Sequence, residues 1–192
     1  MMKQIFLLIL SIITISCKAQ IYPLNTSPGD IPNNAYIKDT NNKLDIYVGL
    51  WKGTWNGKTL FLELKKIKSY YSIPGSTHPF YIDEILGERK IVASNGSIEI
   101  DRISNFGNEG AEFRGIGTSL INGNWKRIYF NPKNMCGKTA TLDITSFTGN
   151  QMILHFEYLP SFIDPNCQHN AYVEQYGDFP INFPKDIVLT KQ

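Results

Sequence analysis

An all-β, antiparallel up-and-down barrel of about eight to ten strands is the fold this sequence predicts. A two-sheet β-sandwich is the alternative. Three observations carry the prediction. Asn-Gly dipeptides at 56–57, 95–96 and 122–123 mark tight turns between runs rich in apolar and β-branched residues. Helical spacing is confined to one short stretch, Leu44–Val48. A last alternating run, Asp186–Lys191, is placed to pair with the first hairpin and remove a free edge.

The chain of 192 residues with a formal charge of +2 fits one domain with a real core. It shows no basic stripe, so nucleic acid is not an expected partner. Its start reads as an address. Lys3 gives a short positive region, and Ile5–Ser16 is apolar but shorter than the ~20 residues of an ordinary spanning helix. Ser16 directly before Cys17 resembles the lipobox of bacterial lipoproteins. Residues 1–16 are therefore read as a lipoprotein signal peptide and Cys17 as the lipidated residue. The alternative is cleavage near Ala19-Gln20, which discards Cys17. Acyl chains on Cys17 imply a membrane partner through the lipid anchor. The absence of an acidic run in Lys18-Ala19-Gln20 points to a periplasm-facing outer-membrane position.

Residues 17–43, with three prolines and no periodicity after Gln20, are expected to be an extended tether, leaving 44–192 as the barrel domain. Leu44–Val48 is expected to form one helical turn capped by Thr40 or Asn41. The first hairpin then follows from register. Pairing outward from Asn56-Gly57 puts Gly49, Trp51, Gly53 and Trp55 opposite Leu64, Leu62, Leu60 and Lys58 on one face. In the second hairpin, pairing from Asn95-Gly96 puts Ile91 opposite Ile100, Ala93 opposite Ile98 and Lys90 opposite Asp101. A weak strand near Thr118–Ile121 and a better one at Trp125–Phe130 flank the turn at 122–123. For Thr139–Leu159, a three-residue loop at Thr148–Asn150 keeps the faces separate, with Leu142/Phe156, Ile144/Leu154 and Ser146/Met152 inside and Asp143/His155 outside. Asn150 is expected at the left-handed position of that loop.

With Cys17 spent on lipid or removed, Cys136 and Cys167 remain as an even pair in an oxidising compartment and are read as a disulfide. Their spacing, without a neighbouring CxxC or HxxxH, is poor for a metal.

Gly49-Leu50-Trp51 after a helical turn resembles the Gly-x-Trp opening of the lipocalin and wider calycin barrels, and Gly53-Thr54-Trp55 repeats the spacing. Two features differ: the first hairpin turn is tight where lipocalins carry a long lid loop, and Lys191 stands where an Arg usually covers the Trp. The tract IPNNAYIKDTNNKLDIYVGLWKGTWNGKTLFLELKK, with YYSIPG, YIDEILG and CKAQ, resembles a family of small bacterial lipoproteins of unknown function. That likeness implies a class and an envelope address, and no activity or site residues.

No HExxH, P-loop, GxGxxG or Ser/His/Asp constellation is present, so neither an enzyme nor a cofactor or metal site is expected. His155 is read as a surface partner of Asp143, and His78 and His169 as loop residues. Strand alternation from Ile91 points Asp83 inward, whereas a bulge at Gly87 returns it to solvent; the bulge is the preferred reading. Two functions follow. In the first, the barrel holds a small apolar or amphipathic ligand. Trp51, Trp55, Asp83, Tyr70, Tyr71, Tyr172 and Tyr176 face it, and Ser69–Pro79 and Pro160–Pro184 gate it. In the second, the barrel is filled and the long loops contact another envelope protein, through a patch of Tyr172, Tyr176 and Phe179.

Overall fold

The computed structural model describes residues 20–72, 78–104, 106–107, 110–118, 126–133, 135–160, 164–180 and 183–192. Cys17 with the apolar N-terminal segment, Pro74-Gly75, Trp125 and the turn at 122–123 lie outside them. The chain divides into two compact units. One comprises residues up to Asn41 with Lys68–Asp83, the other Asn42–Ile67 with Glu84–Gln192.

The strands are, in order, β1 (Ile21–Pro23), β2 (Tyr36–Lys38), β3 (Gly49–Trp55), β4 (Lys58–Tyr71), β5 (Phe80–Val92) and β6 (Ile98–Asp101). They continue with β7 (Phe113–Thr118), β8 (Lys126–Phe130), β9 (Ala140–Phe147), β10 (Gln151–Tyr158) and β11 (Asp186–Lys191). A short helix, α1 (Asn170–Tyr176), interrupts the last connection. Eight strands run β5-β4-β3-β11-β10-β9-β8-β7, and β7 returns to β5 through Leu86↔Arg114 and Gly87↔Phe113. This is a closed barrel, as the turn pattern predicts. β11 pairs with β3 through Thr190↔Lys52 and Lys191↔Trp51, so the last strand meets the first hairpin.

The β3–β4 hairpin has the register that its turn dictates, from Trp55↔Lys58 out to Gly49↔Leu64. Trp51, Leu62 and Leu64 are wholly buried and Gly53 is buried beside them. A Cβ on Gly53 would stand 2.7 Å from the backbone oxygen of Val188, so only glycine fits there. β5 is one continuous strand through Gly87, from Phe80 to Val92. Gly87 is a point of close approach. A Cβ there would lie 2.6 Å from Leu64 Cδ2 and 3.1 Å from Phe113 Cβ, so the missing side chain lets neighbouring strands pack.

In the β9–β10 hairpin the pairs Ile144↔Leu154, Asp143↔His155 and Leu142↔Phe156 match the expected register. The loop differs. Thr148 N–H bonds Gln151 O, and the left-handed position falls on Gly149 (φ 86°) rather than Asn150. The turn therefore has two central residues, and a bulge at Thr145 restores the register beyond it, leaving Met152 opposite Phe147 rather than Ser146. Burying Leu142, Leu154 and Phe156 outweighs the cost of one unpaired residue, because a slip would turn all three outward.

Leu44–Val48 does form a single turn of 3-10 helix, Asp45–Tyr47, with Leu44 at its N-cap and no side-chain cap. The cap expected from Thr40 or Asn41 is not made; Val48 N–H to Asp45 O closes the turn instead.

Residues 21–38 depart from the tether expectation. β1 pairs in parallel with β2, and β2 with the start of β5 through Tyr36↔Tyr81 and Ile37↔Ile82. The strands are too short to carry a period of their own, which is why local pattern did not reveal them. Ile31, Ala35, Ile37 and Phe80 form their apolar core, with Tyr22, Tyr71 and Ile82 packed on it.

Candidate functional site

The seven residues expected to face a ligand fall in separate places. Trp51 lies inside the barrel, wholly buried. Its Nε1–H donates to Tyr47 O at 2.8 Å, Phe147 packs on it at 6.0 Å, and Lys191 Nζ stands 5.4 Å from its ring centre. Lys191 thus covers the indole as a cation over a π face. Trp55 is half-buried at the hairpin end under Lys58, 5.6 Å from its ring. Elsewhere in the barrel Phe113 stacks on Phe130 at 4.4 Å and Phe183 packs tilted against both at 5.6 and 6.0 Å, with none of their surface exposed. Such burial leaves no water-sized space beside these rings.

The barrel also encloses charge. Arg89 donates to Glu112 at 2.8 Å, each 1 % exposed, and its guanidinium lies 4.8 Å from the Phe130 ring centre. Glu112 further accepts the Lys133 N–H at 2.8 Å. A buried pair persists only when its remaining hydrogen-bonding capacity is met in this way. Nearby, Glu88 pairs with Arg102 at 3.0 Å, and burial pushes its carboxyl above the usual carboxylate range. Sequence reasoning passed over Arg89 and Glu112. Their signal was parity alone, because Arg89 shares a strand face with Ile85 and Ile91.

Cys136 and Cys167 form the expected disulfide, with Cα atoms 5.6 Å apart and a sequence separation of 31. Closing that loop stabilises the fold by roughly 3–4 kcal/mol in the chain-entropy account. Met135, Cys167 and Phe179 bury themselves around the bridge, with Tyr158 and Val173 packed on them. Tyr158 Oη donates to Pro180 O at 3.0 Å, and Lys138 Nζ lies 5.4 Å from the Phe179 ring centre. At the first residue of α1, Asn170 Nδ2 donates to Pro165 O at 2.7 Å; behind the helix, Gly177 takes φ 77° and returns its N–H to Val173 O. The short helix is therefore fastened at both ends. Tyr172 and Tyr176, four residues apart, project from it with rings 4.5 Å apart and exposures of 42 % and 62 %. Phe179, expected to complete this patch, is 4 % exposed and belongs to the core.

In the other unit, Asp83 is buried rather than returned to solvent. It accepts Tyr36 Oη–H at 2.5 Å and the Asp39 N–H at 2.9 Å. Burial, and then the Asp83 carboxylate, push the Tyr36 phenol up to about 12, so it stays neutral and donating. Tyr70 is exposed and packs on Tyr81 at 5.1 Å, while Tyr71 stacks on Phe80 at 5.5 Å as part of the small core. Strand alternation puts Tyr81 on one face with Asp83, but Tyr36 has no such signal, since only the parallel β2–β5 pairing makes it a neighbour of Tyr81.

His155 faces Asp143 in register, yet its Nδ1 pairs with Asp186 at 2.6 Å, while Asp143 is taken by Arg127 at 2.6 Å. The bidentate guanidinium is the stronger partner and displaces the imidazole. His78 Nδ1 meets Asn33 Oδ1 at 2.8 Å. His169 precedes α1 as its N-cap residue without a side-chain cap. Among the described residues no group of His, Cys, Asp and Glu is placed to hold a metal. Nor is any described helix long and apolar enough to cross a membrane.

No curated protein and no solved structure matches the chain. A family model, described as "Family of unknown function (DUF6705)", matches residues 2–192, and the chain belongs to that family.

Proposed function

We propose that this is a lipid-anchored envelope interaction protein, in which a filled barrel serves as scaffold and α1 presents the contact surface. The single observation that carries the reading is the Tyr172/Tyr176 pair. Two large aromatic side chains stand exposed on a helix held to the barrel by a disulfide and a buried aromatic cluster. Tyrosine on a rigid support offers contact area at low entropic cost, as binding surfaces do. The complete burial of Trp51, Phe113 and Phe130 weighs against the other reading, an apolar ligand held inside the barrel. The envelope address rests on the apolar run before Cys17 and agrees with an oxidised Cys136–Cys167 pair.

The test places a photo-crosslinking residue at position 172, 176 or 129 in cells. Tyr129 is 48 % exposed on β8 and serves as the control. The reading expects one adduct of fixed mass from 172 and 176 and none from 129, with Tyr176→Asp removing the adduct at 172. It also expects labelled palmitate on the wild type and none on Cys17→Ser. Equal adducts at all three positions, or a co-purified small molecule in native mass spectrometry, would overturn it.

A further inference from the structure

In the small sheet, strand alternation sends Ala35, Ile37, Phe80 and Ile82 to one face, where they meet the apolar core. Tyr36, Tyr81 and Asp83 point the opposite way, and β4 adds Lys68 and Tyr70 to that side. Lys68 Nζ stands 4.3 Å from the Tyr36 ring centre and 4.4 Å from that of Tyr81. Two electron-rich faces are therefore trained on one ammonium. Tyr70 extends the wall by packing on Tyr81 at 5.1 Å. The Tyr36 hydroxyl gives its hydrogen bond to the Asp83 carboxylate, which enriches the ring that the cation faces. Asp39 N–H holds Asp83 in turn, so the anionic end of this chain of contacts is fixed.

This arrangement is the chemistry of a cation cage, and it already contains an ammonium at cation–π distance. Lys68 is exposed and makes no ion pair among the described residues. A flexible four-carbon stem lets its head group leave for solvent at little cost. We propose that Tyr36, Tyr81 and Asp83 form a recognition cage for a small soluble organic ammonium compound, with Lys68 as the built-in occupant that the ligand displaces. Charge complementarity sets the class. A trimethylammonium or alkylammonium group meets the same two ring faces, whereas an uncharged molecule of that shape gains nothing from their quadrupoles.

The experiment titrates choline, and separately its uncharged carbon isostere dimethylbutanol, into the full chain while following tyrosine ring resonances. Choline is expected to shift Tyr36 and Tyr81 in the wild type. Lys68→Ala, which empties the cage, is expected to bind choline about tenfold tighter. Tyr81→Phe keeps a ring face and retains binding; Tyr81→Leu removes it and weakens binding by about tenfold. A dispersed amide spectrum checks that each variant is folded. The proposal fails if dimethylbutanol matches choline, if Lys68→Ala binds no tighter than the wild type, or if neither tyrosine responds.

Discussion

The same dipeptide makes two different turns in this barrel. At Asn56-Gly57 both residues take positive φ, 49° and 75°, and the ladder runs from the turn without a break. That is the two-residue I′ geometry, whose twist matches the strands it joins. At Asn95-Gly96 only Gly96 does so, at 85°, and Ala93 N–H bonds Ser97 O across a three-residue loop. Lys90↔Asp101 and Ile91↔Ile100 keep the expected register, but Val92 then meets Ile98 where Ala93 was expected. Ile98 is left 57 % exposed, and Glu99 turns to Lys58 at 2.7 Å. Asn95 spends its side chain on Ser97 N–H and Oγ–H instead of adopting the left-handed backbone. The difference lies in what the strands bury. β3 and β4 carry Trp51, Leu60, Leu62 and Leu64 into the core, so a slip there would expose all four. β6 pairs with β5 beside the barrel and has little to lose.

The contrast can be broken most forcefully at its largest side chains. Trp51→Ala is expected to cost about 3–5 kcal/mol in urea unfolding, through lost transfer energy and the cavity left behind. Ile98→Ala, the apolar truncation in the other hairpin, should stay within about 0.5 kcal/mol. Comparable losses at the two sites would show that burial does not separate the hairpins. A sharper probe is the asparagine itself. Asn56→Ala must hold an alanine in the left-handed region and should lose about 1–2 kcal/mol. Asn95→Ala loses only exposed hydrogen bonds and should lose about 0.5–1 kcal/mol, so a reversed order would sink the turn assignment. The smallest effect is electrostatic. Lys90, and then the Ser104 N–H and hydroxyl, hold the Asp101 carboxyl at about 2, below its ordinary 3.8. Because that pKa is depressed, the contribution is complete above 3.8 and disappears as pH falls through about 2. Carboxyl NMR should show the low midpoint, and Lys90→Ala should raise it; an unchanged midpoint would remove Lys90 as the cause.

Much of the barrel was legible because its signals are local and repeated. Trp51/Leu62, Leu142/Phe156 and the return of Asp186–Lys191 to the first hairpin all follow from a period of two and from turn residues. Legibility stopped where a residue's partner lies far off in sequence and no pattern names it. Tyr36 meets Tyr81 only through a parallel pairing, and Arg89 meets Glu112 only because the barrel closes. A glycine within a strand has more than one reading, and the proximity of Leu64 and Phe113 that makes Gly87 a point of close approach has no signature in the local sequence. In the candidate contact surface, Tyr172 and Tyr176 were legible as loop aromatics. The helix that aligns them, and the burial of Phe179 beneath the disulfide, were not.

By itself, then, the chain's alternation determined which side chains share a face, and its turn residues where most hairpins bend. Those properties depend on neighbours a few residues away or on simple parity. The tertiary structure decided which faces are buried, which of two turns an Asn-Gly adopts, and where charge can sit inside. Each of those outcomes compares a small local preference with the larger free energy of removing apolar surface from water, and that comparison is settled only once distant strands meet.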